Sequence, residues 1–135
     1  MKLPIASALI CFFSLYSAYS QEPLTGNLLD GTSMDYFYQN GSAVHAQFTD
    51  GNFQFEWFLG PNKGATGSCT YQSRKIGDKL YMVGFSYEPT KAYVTIVFNF
   101  NQMMFSTSAW LMAGTEQEIA WFEAGIIEKL ILVEH

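Results

Sequence analysis

Tyr36 and Tyr38 are the side chains of this sequence best suited to hold a small polar group. They flank Phe37 in a run with strand character, and residues two apart on a strand point to one face of the sheet. Their hydroxyls would then lie side by side. If that face lines a cavity, the pair can grip a carboxylate or a carbonyl oxygen. If it points outwards or caps a core, water satisfies the same hydroxyls.

Three further residues complete the candidate ligand-binding set. Glu88 follows a predicted strand, where its carboxyl group could act as an acid or a base at the mouth of a barrel. Trp57 and Tyr71 belong to other predicted strands, and aromatic rings of this kind line apolar ligand pockets.

The remaining reactive side chains carry no catalytic or metal-binding signature. His45 has no second histidine at a ligand spacing, which predicts an exposed or hydrogen-bonded ring and no metal site. Cys69 has no basic neighbour in sequence that would lower its pKa, so we expect a small buried apolar residue. The sequence also lacks a Gly-x-Ser-x-Gly elbow, a His-Glu-x-x-His motif and a glycine-rich phosphate loop. We therefore expect no cofactor.

The first twenty residues predict a signal peptide. Lys2 supplies a charged start, residues 9–15 form an apolar run too short to span a membrane, and Ala18 and Ser20 are the small residues that signal peptidase requires. We expect cleavage after Ser20 and a secreted or periplasmic mature chain, residues 21–135, that forms one domain. Cys11 follows Ile10, where a lipoprotein signal needs a small residue, so we expect no lipid anchor.

The composition is acidic and aromatic. Loss of Lys2, the only charged residue before position 21, takes the formal charge from −5 to −6. This charge disfavours nucleic acid and anionic membrane surfaces as partners. The 12 Phe, 8 Tyr and 3 Trp residues favour pleated sheet, where they either fill a core or line a ligand pocket.

Alternating apolar residues and turn signals divide the mature chain into short strands. Asn40-Gly41 and Asp50-Gly51 each predict a type I′ hairpin turn, since both residues of such a turn need a positive φ. Residues 126–133 fit helix spacing loosely, but their β-branched content favours a strand. The predicted strands are Ser33–Gln39, Ala43–Thr49, Asn52–Phe58, Thr66–Ser73, Leu80–Tyr87, Ala92–Phe100, Met103–Leu111, Glu118–Phe122 and Ile126–Val133.

These strands predict an all-β fold. Eight or nine short antiparallel strands in one small domain are typical of an up-and-down barrel, which removes sheet edges by closing on itself. A barrel of about eight strands is either filled by its own side chains or holds one small ligand.

Three segments resemble the MoaF-like proteins: Tyr36–Gly41, Gly60–Gly67 and Tyr81–Pro89. The similarity runs from about Leu24 to Leu111. MoaF-like proteins are in turn similar to bacterial phenolic acid decarboxylases, and both groups have a lipocalin-like, or calycin, antiparallel barrel. The resemblance therefore implies that fold for this chain.

The resemblance to the decarboxylases also implies roles for individual residues. Those enzymes use two tyrosines, a glutamate in a Glu-Pro turn and an arginine, and Tyr36, Tyr38 and Glu88 match the first three. Ala65 stands at the arginine position, and the only arginine of this chain is Arg74. The resemblance thus implies a cavity without the decarboxylase arginine.

We therefore expect an exported MoaF-like barrel that binds a small aromatic or carboxylate compound. Two alternatives stay open. One is a lyase in which Tyr36 and Tyr38 orient a carboxylate while Glu88 moves a proton. The other is a filled barrel that acts through its surface. A void inside the barrel would argue against the second alternative, and an inward arginine or lysine would favour the first.

Overall fold

The computed structural model describes residues 25–135, which form ten antiparallel strands in one sheet and a single short 3-10 helix. The predicted signal peptide lies outside these residues. No helix in the described part of the chain is long and apolar enough to cross a membrane. The strands are β1 Thr25–Gly26, β2 Ser33–Tyr38, β3 Ala43–Thr49, β4 Asn52–Leu59, β5 Thr66–Thr70, β6 Gln72–Gly77, β7 Leu80–Tyr87, β8 Ala92–Asn99, β9 Met104–Leu111 and β10 Ile119–Ile131, and the 3-10 helix is Glu88–Thr90.

The sheet curls into a barrel-like wall. Its strand order is β1-β6-β7-β8-β9-β10-β2-β3-β4-β5, so β5 and β6 lie towards opposite ends of the sheet. Only Tyr71 separates these two strands in the chain, and β5 also packs close to β7. The curl therefore brings the ends of the sheet together around one core. The prediction of an all-β, calycin-like antiparallel fold is confirmed, with ten strands instead of about eight.

The two predicted type I′ turns have different outcomes. Asp50 has a φ of 50° and Gly51 a φ of 77°, as a type I′ turn requires. At the β2–β3 turn only Gly41 has a positive φ, at 92°. There the Tyr38 N–H donates to the Ser42 carbonyl oxygen at 2.8 Å, which leaves a three-residue loop. The type I′ prediction for this turn is wrong because a three-residue loop needs only its last residue in the left-handed region.

The division of the chain into strands also differs from the prediction at two places. The predicted strand Thr66–Ser73 is divided into β5 and β6 at Tyr71, where the chain passes from one end of the sheet to the other. The last two predicted strands are one continuous strand, β10. Gly125, which suggested a break, allows β10 to lie close to β2, since a Cβ there would overlap the carbonyl oxygen of Phe37. The preference for strand over helix in the C-terminal segment is confirmed.

One end of the barrel is sealed, and we call it the closed end. It consists of residues 27–32, Tyr71, Tyr81 and the C-terminal residues 132–135. Leu29 is fully buried under the strands. The hydroxyl of Tyr71 donates to the Asp30 carboxylate at 2.7 Å, and the Gly51 N–H donates to the same carboxylate at 3.1 Å.

The C-terminal residues also form hydrogen bonds that seal the closed end. The Val133 N–H donates to the Thr32 hydroxyl at 2.9 Å, and the Tyr81 hydroxyl donates to the Glu134 carboxylate at 2.6 Å. Because every buried side-chain nitrogen and oxygen atom of the described residues has a hydrogen-bond partner, this end is a fixed floor beneath the barrel interior.

Candidate functional site

A cavity of about 610 Å³ occupies the opposite half of the barrel. It opens between the loops that follow β2, β4, β7 and β9. We call it the aromatic cavity, because eight rings line it: Tyr36, Tyr38, Phe53, Phe55, Trp57, Phe85, Tyr87 and Trp121. Its volume lies within the range of about 300–1,000 Å³ that is usual for small-molecule sites.

Tyr36 and Tyr38 lie side by side on the inner face of β2. Their ring centroids are 5.6 Å apart at an interplanar angle of 83°. The two side chains are 3% and 6% exposed, so they belong to the cavity wall and not to the outer surface. Tyr36 also packs against Phe105, with 4.8 Å between ring centroids, which fixes it on the cavity floor. The strand periodicity thus places both hydroxyls on one inner face.

Two tryptophans flank Tyr38. Trp57 stacks on its ring at a centroid distance of 5.8 Å and an angle of 17°, and Trp121 lies 5.0 Å away. The Tyr38 hydroxyl also forms a hydrogen bond with the hydroxyl of Thr107 at 3.4 Å. Flat rings beside hydroxyl groups can hold an aromatic ligand by stacking while the hydroxyls bind a polar atom.

Both tyrosines stay protonated over a wide pH range. Burial raises the pKa of Tyr38 to about 12, against smaller lowering effects from Thr107 and Tyr36. Burial also raises the pKa of Tyr36, and the neighbouring Tyr38 adds to that rise. At neutral pH the cavity therefore offers two phenolic O–H groups as hydrogen-bond donors and no phenolate.

The aromatic cavity has no charged lining residue among residues 25–135. Its polar lining groups are the phenols, the indole N–H groups of Trp57 and Trp121, the amides of Asn40 and Asn62, and the hydroxyls of Ser42, Thr66 and Thr90. Ala65, which stands at the arginine position of the decarboxylases, is part of the lining.

The structure brings together some of the candidate ligand-binding residues and separates others. Tyr36, Tyr38 and Trp57 line the aromatic cavity. Glu88 lies in the exposed 3-10 helix, beside the mouth but outside the lining. Tyr71 is at the closed end, where it is bound to Asp30, so it helps to seal the barrel.

Sequence reasoning did not single out three residues near Tyr38, namely Thr107, Trp121 and Glu123. They belong to β9 and β10, and Glu123 is paired directly with Thr107. Trp121, Glu123 and Gly125 alternate with exposed residues such as Phe122, which assigns them to the inner side of β10. Recognising a continuous strand through Gly125 would have revealed this alternation.

His45 and Cys69 lie away from the aromatic cavity. The ring of His45 is on the outer face, hydrogen-bonded to the Asp35 carboxylate and stacked on Phe58 with 3.9 Å between ring centroids. The prediction of an exposed or hydrogen-bonded histidine is confirmed. Cys69 is half-buried, and burial raises the pKa of its thiol to about 11. Within residues 25–135, no group of three or more His, Cys, Asp and Glu side chains is placed to hold a metal ion.

Comparisons with known proteins agree with this architecture. The sequence profile of the MoaF-like family matches residues 30–120. A crystal structure from Burkholderia vietnamiensis, described as that of a candidate beta-lactamase, superposes with a TM-score of 0.59 and 17% sequence identity. The match covers 77% of this chain and 94% of that protein, and at this identity it shows a shared fold alone. No curated protein matches the chain.

Proposed function

Since the chain belongs to the MoaF-like family, we propose that it is an exported protein that binds a small aromatic compound in the aromatic cavity. The observation that carries the proposal is the cavity itself. It combines about 610 Å³ of space, eight aromatic rings and two protonated phenols on one strand face. Ligand sites of this kind are apolar, with a few placed polar groups that orient the ligand.

The arrangement suggests how the ligand would be held. Trp57 and Trp121 offer flat faces on either side of the Tyr38 ring, so an aromatic ligand can stack among them. Tyr36 and Tyr38 can each donate a hydrogen bond to an oxygen atom of the ligand. The closed end beneath them excludes water from that side, which strengthens such hydrogen bonds by lowering the local dielectric constant.

Two features support binding over the alternatives. The aromatic cavity argues against a filled barrel, because side chains would occupy this space if the barrel were filled. The lyase alternative needs a group that neutralises a substrate carboxylate, and the described lining contains neither arginine nor lysine. We therefore propose a binding function without decarboxylation.

Calorimetric titration with a panel of small aromatics, including cinnamamide, tests the proposal. Each of Tyr36→Phe and Tyr38→Phe should weaken binding by about 0.5–1.5 kcal/mol, because each removes one hydrogen-bond donor. Tyr93→Phe is the matched control, since Tyr93 is 61% exposed on the outer face. Failure of every aromatic to bind, or an unchanged affinity in both cavity variants, would refute the proposed function.

Export has a separate test. Mass spectrometry of the protein from its native host should give a mature N-terminus at position 21, because the predicted signal peptide ends at Ser20. A soluble cytoplasmic product that retains Met1 would contradict export without affecting the binding proposal.

A further inference from the structure

The charges around the aromatic cavity bear on the kind of ligand it accepts. We infer that the cavity selects uncharged aromatic compounds with a hydrogen-bond acceptor, such as an aryl carbonyl or amide, over carboxylates of the same shape. This inference rests on the proposed binding function and goes beyond it by naming the charge state of the ligand.

The first support is the lack of a cation in the described lining. A carboxylate that leaves water needs a positive partner or several hydrogen-bond donors, and without them its burial is costly. Ala65 is exposed at the mouth, and its methyl group offers no charge. The basic residues nearest to it in sequence, Lys63 and Arg74, are both outside the lining.

The second support is a negative charge beside the phenols. Glu123 is half-buried on the inner side of β10 and lies opposite Thr107, the hydrogen-bonding partner of Tyr38. Its charge is close enough to Tyr38 to disfavour a phenolate there. The same field disfavours the anionic group of any ligand that reaches the Tyr38 hydroxyl.

The third support is the number of donors. The Tyr38 hydroxyl is shared with Thr107, so the two phenols together supply at most two hydrogen bonds to a ligand. Two donors satisfy a single carbonyl oxygen. A carboxylate has about four acceptor sites and would need further donors beside the phenols, but the amides and hydroxyls of Asn40, Ser42, Asn62, Thr66 and Thr90 belong to the loops and strand ends around the mouth.

The test compares cinnamamide with cinnamate, which share a ring, a linker and a similar shape but differ in charge at neutral pH. We expect cinnamamide to bind about tenfold more tightly or better, because the buried carboxylate has no partner. Calorimetry on the full mature chain measures both affinities under the same conditions.

Two charge variants should reduce the preference. Ala65→Arg adds a cation at the mouth, and Glu123→Gln removes the nearby anion, so each should tighten cinnamate binding by several-fold while changing cinnamamide little. Ser68→Arg, on the outward side of β5, and Glu56→Gln, exposed on β4, are the matched controls. Neither control should change either affinity, since both lie on the outer face.

The outcomes separate the two claims. If cinnamate binds the wild type as tightly as cinnamamide, or if neither cavity variant improves cinnamate binding, the charge selectivity is refuted while the binding proposal stands. If no aromatic compound of either charge binds, the proposed function itself fails. A preference for cinnamamide that Ala65→Arg or Glu123→Gln reduces supports both.

Discussion

The two ends of this barrel use the same residue type in opposite ways. At the closed end, the Tyr71 hydroxyl donates a hydrogen bond to the Asp30 carboxylate, and the ring is almost completely buried. At the open end, Tyr36 and Tyr38 are just as deeply buried, but they border a cavity instead of a carboxylate. Tyrosines that look equivalent in the sequence thus hold the fold together at one end and face a candidate ligand at the other.

The two ends of the barrel differ in whether a segment of the chain covers them. Residues 27–32 and 132–135 cross the closed end and fill it with Leu28, Leu29 and their hydrogen bonds. No such segment covers the open end among the described residues, and the loops there surround the mouth. Stability should therefore depend on the closed end, and ligand affinity on the open end.

The largest expected effect is on stability at the closed end. Leu29→Ala should lower the free energy of unfolding by about 2–5 kcal/mol, because it leaves a cavity in a fully packed site. Leu111→Ala, at the half-exposed mouth, should cost less than about 1 kcal/mol. Urea denaturation measures both variants, and equal losses would contradict the contrast between the ends.

The second expected effect distinguishes a tyrosine that stabilises the fold from a tyrosine that binds the ligand. Tyr71→Phe should lower stability by about 1–3 kcal/mol, because the Asp30 carboxylate loses a buried donor. Tyr38→Phe should change stability by less than about 1 kcal/mol, since its hydroxyl makes only a 3.4 Å contact with Thr107. Denaturation should show a clear loss of stability for Tyr71→Phe and little change for Tyr38→Phe. Ligand titration should show a loss of affinity for Tyr38→Phe and none for Tyr71→Phe.

The third effect is a loss of stability in alkali. The pKa values of Tyr36, Tyr38, Tyr71 and Tyr81 are all raised above the usual 10.0, mainly by burial. The folded state thus favours the neutral phenols, and this contribution is complete below pH 10. It is lost as the pH rises from 10 towards the folded-state values, which is about 12 for Tyr38.

Alkaline titration followed by phenolate absorbance near 295 nm should show at least four late-ionising tyrosines that titrate together with unfolding. Ionisation of these four tyrosines near pH 10 in a protein that stays folded would contradict the buried phenols.

Local sequence patterns predicted which side chains of a strand face the core, whereas the pairing of distant strands determined features that the sequence did not predict. Period-2 alternation placed Val44, Ala46 and Phe48 on one inner face, and all three are buried. The same rule placed Tyr36 and Tyr38 together. The break at Tyr71 and the continuity of β10 through Gly125 depend on which strands meet across the sheet, and no short window of sequence contains that information.

The same contrast between local pattern and long-range pairing applies to the residues of the candidate site. The pair on β2 could be predicted, because both tyrosines belong to one strand. Thr107 and Glu123 could not, because their position beside Tyr38 arises from the pairing of β9 with β10 and of β10 with β2. Glu88 and Tyr71 were predicted from their type and approximate strand position, and they lie outside the cavity lining.

A nuclear magnetic resonance titration of the three tryptophan indole N–H groups with cinnamamide tests whether the ligand site lies inside the barrel. Trp57 and Trp121 line the aromatic cavity, whereas Trp110 is 53% exposed on the outer face. We expect saturable shifts of the Trp57 and Trp121 signals and a stationary Trp110 signal. Binding that moves only Trp110, or that moves none of the three, would contradict a ligand site inside the barrel.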